Sequence, residues 1–320
     1  MSGKVCGFKA RNGWQCDQQA GESGLCYWHD PNVDKRHHDV KADVEAWAAS
    51  GRPLDGFQLA RTNLTDIHLV NRGNKQGYSC QGADFYRANL TEAHCFGLDL
   101  RNASLMKANL LRANLNCTHL DGSNLLGADM ARTGLENVDW GEQFKQERLA
   151  FLEKDLSRRQ SLFQESEEVC RNIRKQCEKQ GLFDVAGYFF KKEMRFRRYQ
   201  MPTFSFQRAL SKTVDLFCGY GEDPLRVVIF SVLVIVSCAL AYFALGTTQA
   251  NPIYPDLTGV EARFYELLNA LYFSVVTFTT LGYGDITPSG FARFIAAFEA
   301  FLGSFTMALF VVVFVKKMTR

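Results

Sequence analysis

Residues 83–115 read ADFYR ANLTE AHCFG LDLRN ASLMK ANLLR ANL, and the spacing that organises them is five. Every fifth residue from Phe85 is apolar: Phe85, Leu90, Cys95, Leu100, Leu105, Leu110, Leu115, Leu120, Leu125, Met130, Leu135 and Trp140. Two places earlier sits a mostly small residue, as at Ala83, Ala88, Ala93, Ala103 and Ala108. Asp or Asn is common between the two, as at Asp84, Asn89, Asn109 and Asn114. Leu59, Leu64 and Leu69 begin the same rhythm, and residues 72–82 interrupt it and shift the frame by one residue. A period of five fits neither a helix nor a pleated strand. It fits a solenoid with short flat faces.

These steps, with A-N-L and A-D-M as their typical units, resemble the pentapeptide-repeat family. The resemblance covers residues 57–142. It implies a right-handed quadrilateral β-helix with four repeats per coil, its central Leu or Phe and its small residue pointing inward. Fifteen or so repeats make roughly four coils, about 20 Å tall at one sheet spacing per coil.

Outward from the solenoid the chain changes character. The whole has 320 residues, a formal charge of +3 and 47 % hydrophobic residues, with a mean hydropathy of −0.16. That excludes a disordered or collagen-like chain, and the small net charge argues against a nucleic-acid coat. The apolar residues are unevenly placed, however. Residues 227–255 carry no charge, and within residues 294–315 only Glu299 does. Each stretch is long enough to cross a ~30 Å hydrocarbon core. The flank before the first span holds Lys191, Lys192, Arg195, Arg197, Arg198, Arg208, Lys212 and Arg226, and Lys316, Lys317 and Arg320 follow the second. Residues 247–264 between them hold only Arg263 against Asp256 and Glu261. Positive-inside reasoning predicts a multi-pass protein of the inner or plasma membrane with both termini cytoplasmic. The start, Met1-Ser-Gly-Lys, has no apolar run, which points to no signal peptide and to reduced thiols.

A third uncharged stretch, residues 267–284, is broken by Gly282 and Gly284. It leaves a helix of about 12–14 residues, too short to cross. The spacing predicts a re-entrant helix followed by an extended segment, buried inside an assembly. That segment reads Thr279-Thr-Leu-Gly-Tyr-Gly-Asp285 and resembles the potassium-channel signature, with Leu281 where Val is usual. The resemblance implies a homotetramer with K⁺ as permeant ion. The carbonyls of Thr280, Leu281, Gly282 and Tyr283 and the Thr280 hydroxyl would form four ion sites. Gly284 would complete the backbone, Tyr283 would pack outward on Tyr272 or Phe273 of the pore helix, and Asp285 would hydrogen-bond behind the filter. The physics agrees: rings of oxygens replace the hydration shell of K⁺, and glycines allow successive carbonyls to face one axis. The helix would point its negative C-terminal end at the cavity.

Gating is less legible. No segment carries Arg at every third position, so no voltage sensor is expected. With five residues after Val315, control is expected from the N-terminal side. Gly303 resembles the inner-helix hinge glycine of channels, and close packing explains it equally well. Glu299, one turn earlier, is a gating candidate or a neutral hydrogen-bonded residue.

At the N-terminus, residues 1–40 hold Cys6, Cys16, Cys26 and His29, three sulfurs and a nitrogen that suffice for tetrahedral Zn²⁺. So short a module lacks a core of its own, so a structural metal explains how it folds. Residues 41–56 read as a short helix and linker. Residues 143–202 read as a charged helical hairpin. Residues 203–217 read as an interfacial amphipathic helix that meets the lipid bilayer, and residues 218–320 as an all-α two-span pore domain. His94 and His119 occupy the same position of different repeats and, 25 apart, should lie on adjacent faces. No nucleophile–base pair stands out, so no enzyme is expected. An alternative is a membrane-anchored repeat scaffold, binding an unknown cytoplasmic protein, a ligand or a topoisomerase beside a silent or non-selective pore. Mimicry of DNA needs a strongly acidic surface, and residues 83–142 hold eight acidic and five basic residues, net −3.

Overall fold

From Ser79 onward the backbone bridges in parallel to the residue 20 positions later: Ser79 to Asp99, Asp84 to Ser104, Asn89 to Asn109, and so on to His119 with Asp139. A coil is therefore four pentapeptides. The contacts are isolated bridges rather than continuous strands, because each flat face is too short for a ladder. The central residue donates upward, as from the Phe85 N–H to the Ser104 carbonyl at 2.7 Å and from Leu90 to Asn109 at 2.7 Å. Each corner is a tight turn closed by bonds such as Ala88 N–H to the Phe85 carbonyl, 2.9 Å. Its third residue takes a positive φ: Gly82, Arg87, Glu92, Gly97, Asn102, Lys107, Arg112, Cys117, Gly122, Gly127, Arg132 and Asn137 all do. This is the φ pattern of a type II turn, which ordinarily asks for Gly or Asn. Central and small positions alike line the interior: Leu110 and Leu120 are fully buried, as are Ala88 and Ala103. Where Thr118 and Thr133 replace alanine, their hydroxyls donate to the carbonyls of Leu115 and Leu110, each at 2.7 Å.

The structure, a computed structural model, describes residues 4–73, 77–245, 247–249 and 259–318. The interruption in the rhythm overlaps residues 74–76, which lie outside them. The chain divides into two units, Met1–Thr203 and Phe204–Arg320.

In the first unit, α1 (Lys41–Ala49) and the cysteine module close one end of the coils. Trp28 stacks on Phe57 with centroids 5.1 Å apart, and Trp47 meets the same ring edge-on at 5.3 Å. At the other end Trp140 meets Phe189 edge-on at 5.1 Å. Residues 143–202 form α2 (Lys145–Leu152), α3 (Leu156–Lys179) and α4 (Phe183–Tyr199), a hairpin of α3 and α4 preceded by a separate short helix. The cause is Asp155, whose carboxylate accepts from the backbone of Ser157 and Arg158 and starts a new helix. The α3 helix covers the last coil, where Asn172 donates to the Ala128 carbonyl at 2.8 Å and Gln180 to the Thr133 carbonyl at 2.8 Å. It is tied to α4 by Glu193, which pairs with Arg171 at 3.1 Å and Arg174 at 2.8 Å.

The second unit begins with α5 (Phe206–Cys218), followed by a single 3₁₀ turn at Gly219–Gly221. Among the described residues two helices are long and apolar enough to cross a membrane, α6 (Pro224–Leu245) and α8 (Ala292–Met318). Between them lie β1 (Thr247–Gln249), α7 (Val260–Phe278) and β2 (Ile286–Pro288), with β1 and β2 antiparallel and Thr247 opposite Pro288. The α7 helix is longer than the 12–14 residues expected. Its first two turns carry Glu261, Arg263 and Glu266, and counting only its uncharged residues misses them. Asp256 lies outside the described residues.

Candidate ion pathway and cysteine–histidine cluster

The re-entrant helix ends in a fixed way. Thr279 caps α7, its hydroxyl donating to the Val275 carbonyl at 2.7 Å, while the N–H groups of Thr280 and Leu281 donate back to Thr277 and Val276, each at 3.0 Å. Beyond this cap the backbone alternates. Thr280, Gly282 and Gly284 take φ of 58°, 58° and 78°, and the residues between them do not. The glycines adopt this conformation without strain, whereas Thr280, being β-branched, holds it at a cost. Alternation of this kind turns successive carbonyls toward one side. Leu281 and Tyr283 stand 59 % and 68 % exposed on the single chain. The strand pair β1–β2 ties down the segment that follows.

Behind this segment the aromatic residues divide their tasks. Phe273 faces the outer helix, meeting Tyr242 edge-on at 4.8 Å within a cluster that includes Ala270, Ile286 and Ala292. That face of α7 is taken by α6. The Tyr272 hydroxyl lies beside the Asp285 carboxylate, at the far end of the segment that follows α7.

Glu299 is fully buried. It accepts from the Tyr242 hydroxyl at 2.6 Å and is hydrogen-bonded to the Ser274 hydroxyl, which also reaches the Ile235 carbonyl at 2.8 Å. One carboxyl therefore joins all three helices of the pore region. Sequence reading missed Tyr242 and Ser274; the available signal was a polar group inside each uncharged stretch. One turn on, a Cβ at Gly303 would lie 1.9 Å from the Phe278 carbonyl oxygen. The glycine lets α8 pass against the end of α7.

At the C-terminal end of α8, Lys316 pairs with Glu222 at 2.6 Å, and Val313 packs with Cys218 and Val227. The end of α8 is thereby fastened to the turn joining α5 to α6. Arg226 pairs with Asp223 at 3.0 Å and donates to the Asp215 carbonyl at 3.1 Å. On α5, Phe206, Leu210 and Leu216 are exposed, whereas Phe217 packs on Phe230 at 3.8 Å.

In the first unit Cys6, Cys16, Cys26 and His29 are all buried, with their ligand atoms within 4.8 Å of one another. Cys16 and Cys26 sulfurs lie 3.8 Å apart, and His29 Nδ1 lies 3.6 Å from Cys6 and 3.1 Å from Cys26. Tetrahedral zinc with ordinary bond lengths requires edges of about 3.5–3.8 Å. The remaining imidazole nitrogen, Nε2, donates to the Asp55 carbonyl at 3.0 Å, which leaves the Nδ1 lone pair facing the sulfurs. Phe8 stacks on the ring at 3.9 Å. Burial pushes His29 down, against the Asp55 bond that raises it, and so favours the neutral ring. Burial pushes the Cys16 thiol up to about 12 and Cys26 up as well. At Cys6 burial is outweighed by backbone bonds at Phe8 and Cys26, which hold its thiol down. The donor set fits zinc.

Residues 225–320 match the family model for ion channels, and residues 79–116 match eight copies of the pentapeptide repeat. The chain joins an ion-channel domain to a repeat domain, and it is a membrane protein. Two pore potassium channel b of rice (Oryza sativa subsp. japonica) is 38 % identical over 89 residues, 28 % of this chain and 23 % of its own length. Two pore potassium channel a of rice is 37 % identical over 71 residues, 22 % of this chain and 20 % of its own. Protein LctB of Geobacillus stearothermophilus is 32 % identical over 78 residues, 24 % of this chain and 58 % of its own. The chain thus spans less than a quarter of the rice relatives. Among solved structures, HetL, a pentapeptide repeat protein of the cyanobacterium Nostoc, is 27 % identical, covering 26 % of this chain and 38 % of HetL, with a TM-score of 0.16. A score that low carries no weight for the fold.

Proposed function

We propose that the chain is one quarter of a homotetrameric potassium-selective channel, through which ions move passively down their electrochemical gradient. The observation that carries this reading is the alternating φ at Thr280, Gly282 and Gly284, placed at the end of α7 between the two apolar helices α6 and α8. Four such segments around an axis would present rings of carbonyl oxygens from Thr280, Leu281, Gly282 and Tyr283. The exposed Leu281 and Tyr283 would be covered by neighbouring subunits. Glu299, Tyr242 and Ser274 brace the pore helix from behind, and Gly303 serves close packing.

Both termini would lie in the cytoplasm of an inner or plasma membrane, with α5 on the bilayer surface. The coils would form a right-handed quadrilateral β-helix, and motion of the N-terminal region would reach the inner helix through α5 and the Glu222–Lys316 pair. Cys6, Cys16, Cys26 and His29 would hold zinc, whose chemistry there is structural because the protein fills all four positions. The channel reading is tested by K⁺ efflux from proteoliposomes carrying the full chain. Efflux that is abolished by Gly284→Ala supports it; efflux unchanged by that substitution overturns the filter assignment.

A further inference from the structure

We propose that Asp66, His68 and His94 form an exchangeable site for a divalent late transition-metal ion, on the face shared by the first two coils. His68 and His94 are 26 residues apart, yet they bridge one another in parallel, because the interruption before Ser79 adds six residues to the 20 of a coil. Their rings stack at 4.5 Å with planes 6° apart, a separation set by the coil spacing. Asp66, a corner residue with φ 55°, directs one oxygen at both rings. His68 Nε2 lies 3.8 Å and His94 Nε2 3.4 Å from Asp66 Oδ1, and the three ligand atoms lie within 4.8 Å of one another. The backbone is held, since the His68 N–H donates to Glu45 at 2.7 Å. Lys41 takes the other oxygen of Asp66, at 3.5 Å.

Two imidazoles and a carboxylate suit Zn²⁺, Ni²⁺, Co²⁺ or Cu²⁺ and suit Mg²⁺ or Ca²⁺ poorly. The side chains are 46–54 % exposed, so small rotations close the set to bonding distance. Three protein ligands leave positions open to water, which makes the ion exchangeable, in contrast to the closed cysteine–histidine cluster. Lys41 is the opposing charge, and removing it strengthens binding. The site is independent of the channel reading.

The test is equilibrium dialysis of the full chain in detergent against Ni²⁺, comparing wild type with His94→Ala and His68→Ala. Both rings are half-exposed, so the variants keep the fold, which circular dichroism verifies. The expected result is one Ni²⁺ fewer per chain in each variant, that extra equivalent lacking thiolate charge-transfer absorption, and tighter binding in Lys41→Gln. Equal stoichiometry in wild type and both histidine variants overturns the proposal.

Discussion

Gly303 has a carbonyl where any other residue would place its Cβ. Substituting alanine must push α8 away from the end of α7, since the obstructing atom is backbone. Overpacking of this kind costs about 1–3 kcal/mol, and here it falls at Phe278, just before the segment 279–285. Gly303→Ala is expected to lower the thermal stability of the pore region, read as the melting temperature of the detergent-solubilised protein; an unchanged value would mean that α8 is free to move and that the glycine is a hinge. Asp99 carries a prediction about pH. Burial alone raises its carboxyl, but bonds from Arg101 and Gln81 outweigh that and hold it below the usual carboxylate range. A depressed carboxylate stabilises the fold above its unfolded pKa of ~3.9, and that contribution is lost as pH falls through the lower, folded value. Asp99→Asn should therefore weaken the coils at neutral pH, by about 1–3 kcal/mol for a bond to a charged group, and flatten the acid end of their stability curve. Urea melts at neutral and acid pH measure both effects.

Among the elements, the period of five and the signature at residues 279–285 were legible in the sequence, because each is a local pattern whose physics admits few solutions. What escaped was set by single side chains or by long-range register. The break before α3 depends on one capping carboxylate, Asp155, in a stretch that otherwise reads as unbroken helix. The start of α7 was missed because charged residues in a helix end are permitted wherever water reaches. His68 beside His94 could be found only by adding the six inserted residues to the coil length. Cys6, Cys16, Cys26 and His29 were recoverable because their residue types allow few arrangements; the Asp55 carbonyl that orients His29 was not. The module they form has a testable dependence: chelation at neutral pH should unfold it, displacing Trp28 from Phe57 and changing tryptophan emission, while the far-ultraviolet signal of the coils persists. Emission indifferent to chelator would show a module that folds without metal.

Across the whole chain, we propose, conduction belongs to residues 218–320 and its control to what precedes them. The connection that matters is the Glu222–Lys316 pair, since it fastens the end of the inner helix to the turn after α5. Glu222→Lys and Lys316→Glu should each shift open probability, and the double exchange should restore it, with a coupling of about 0.5–3 kcal/mol as for residues in direct contact. Single-channel recording of the three variants measures this, and additive effects would detach the pair from gating. None of it bears on selectivity, which we propose belongs to the alternating backbone at Thr280, Gly282 and Gly284. The most direct measurement is the reversal potential of the purified full chain in a planar bilayer, with K⁺ on one side and Na⁺ on the other. The account predicts a reversal near the K⁺ limit; a reversal near zero would contradict it.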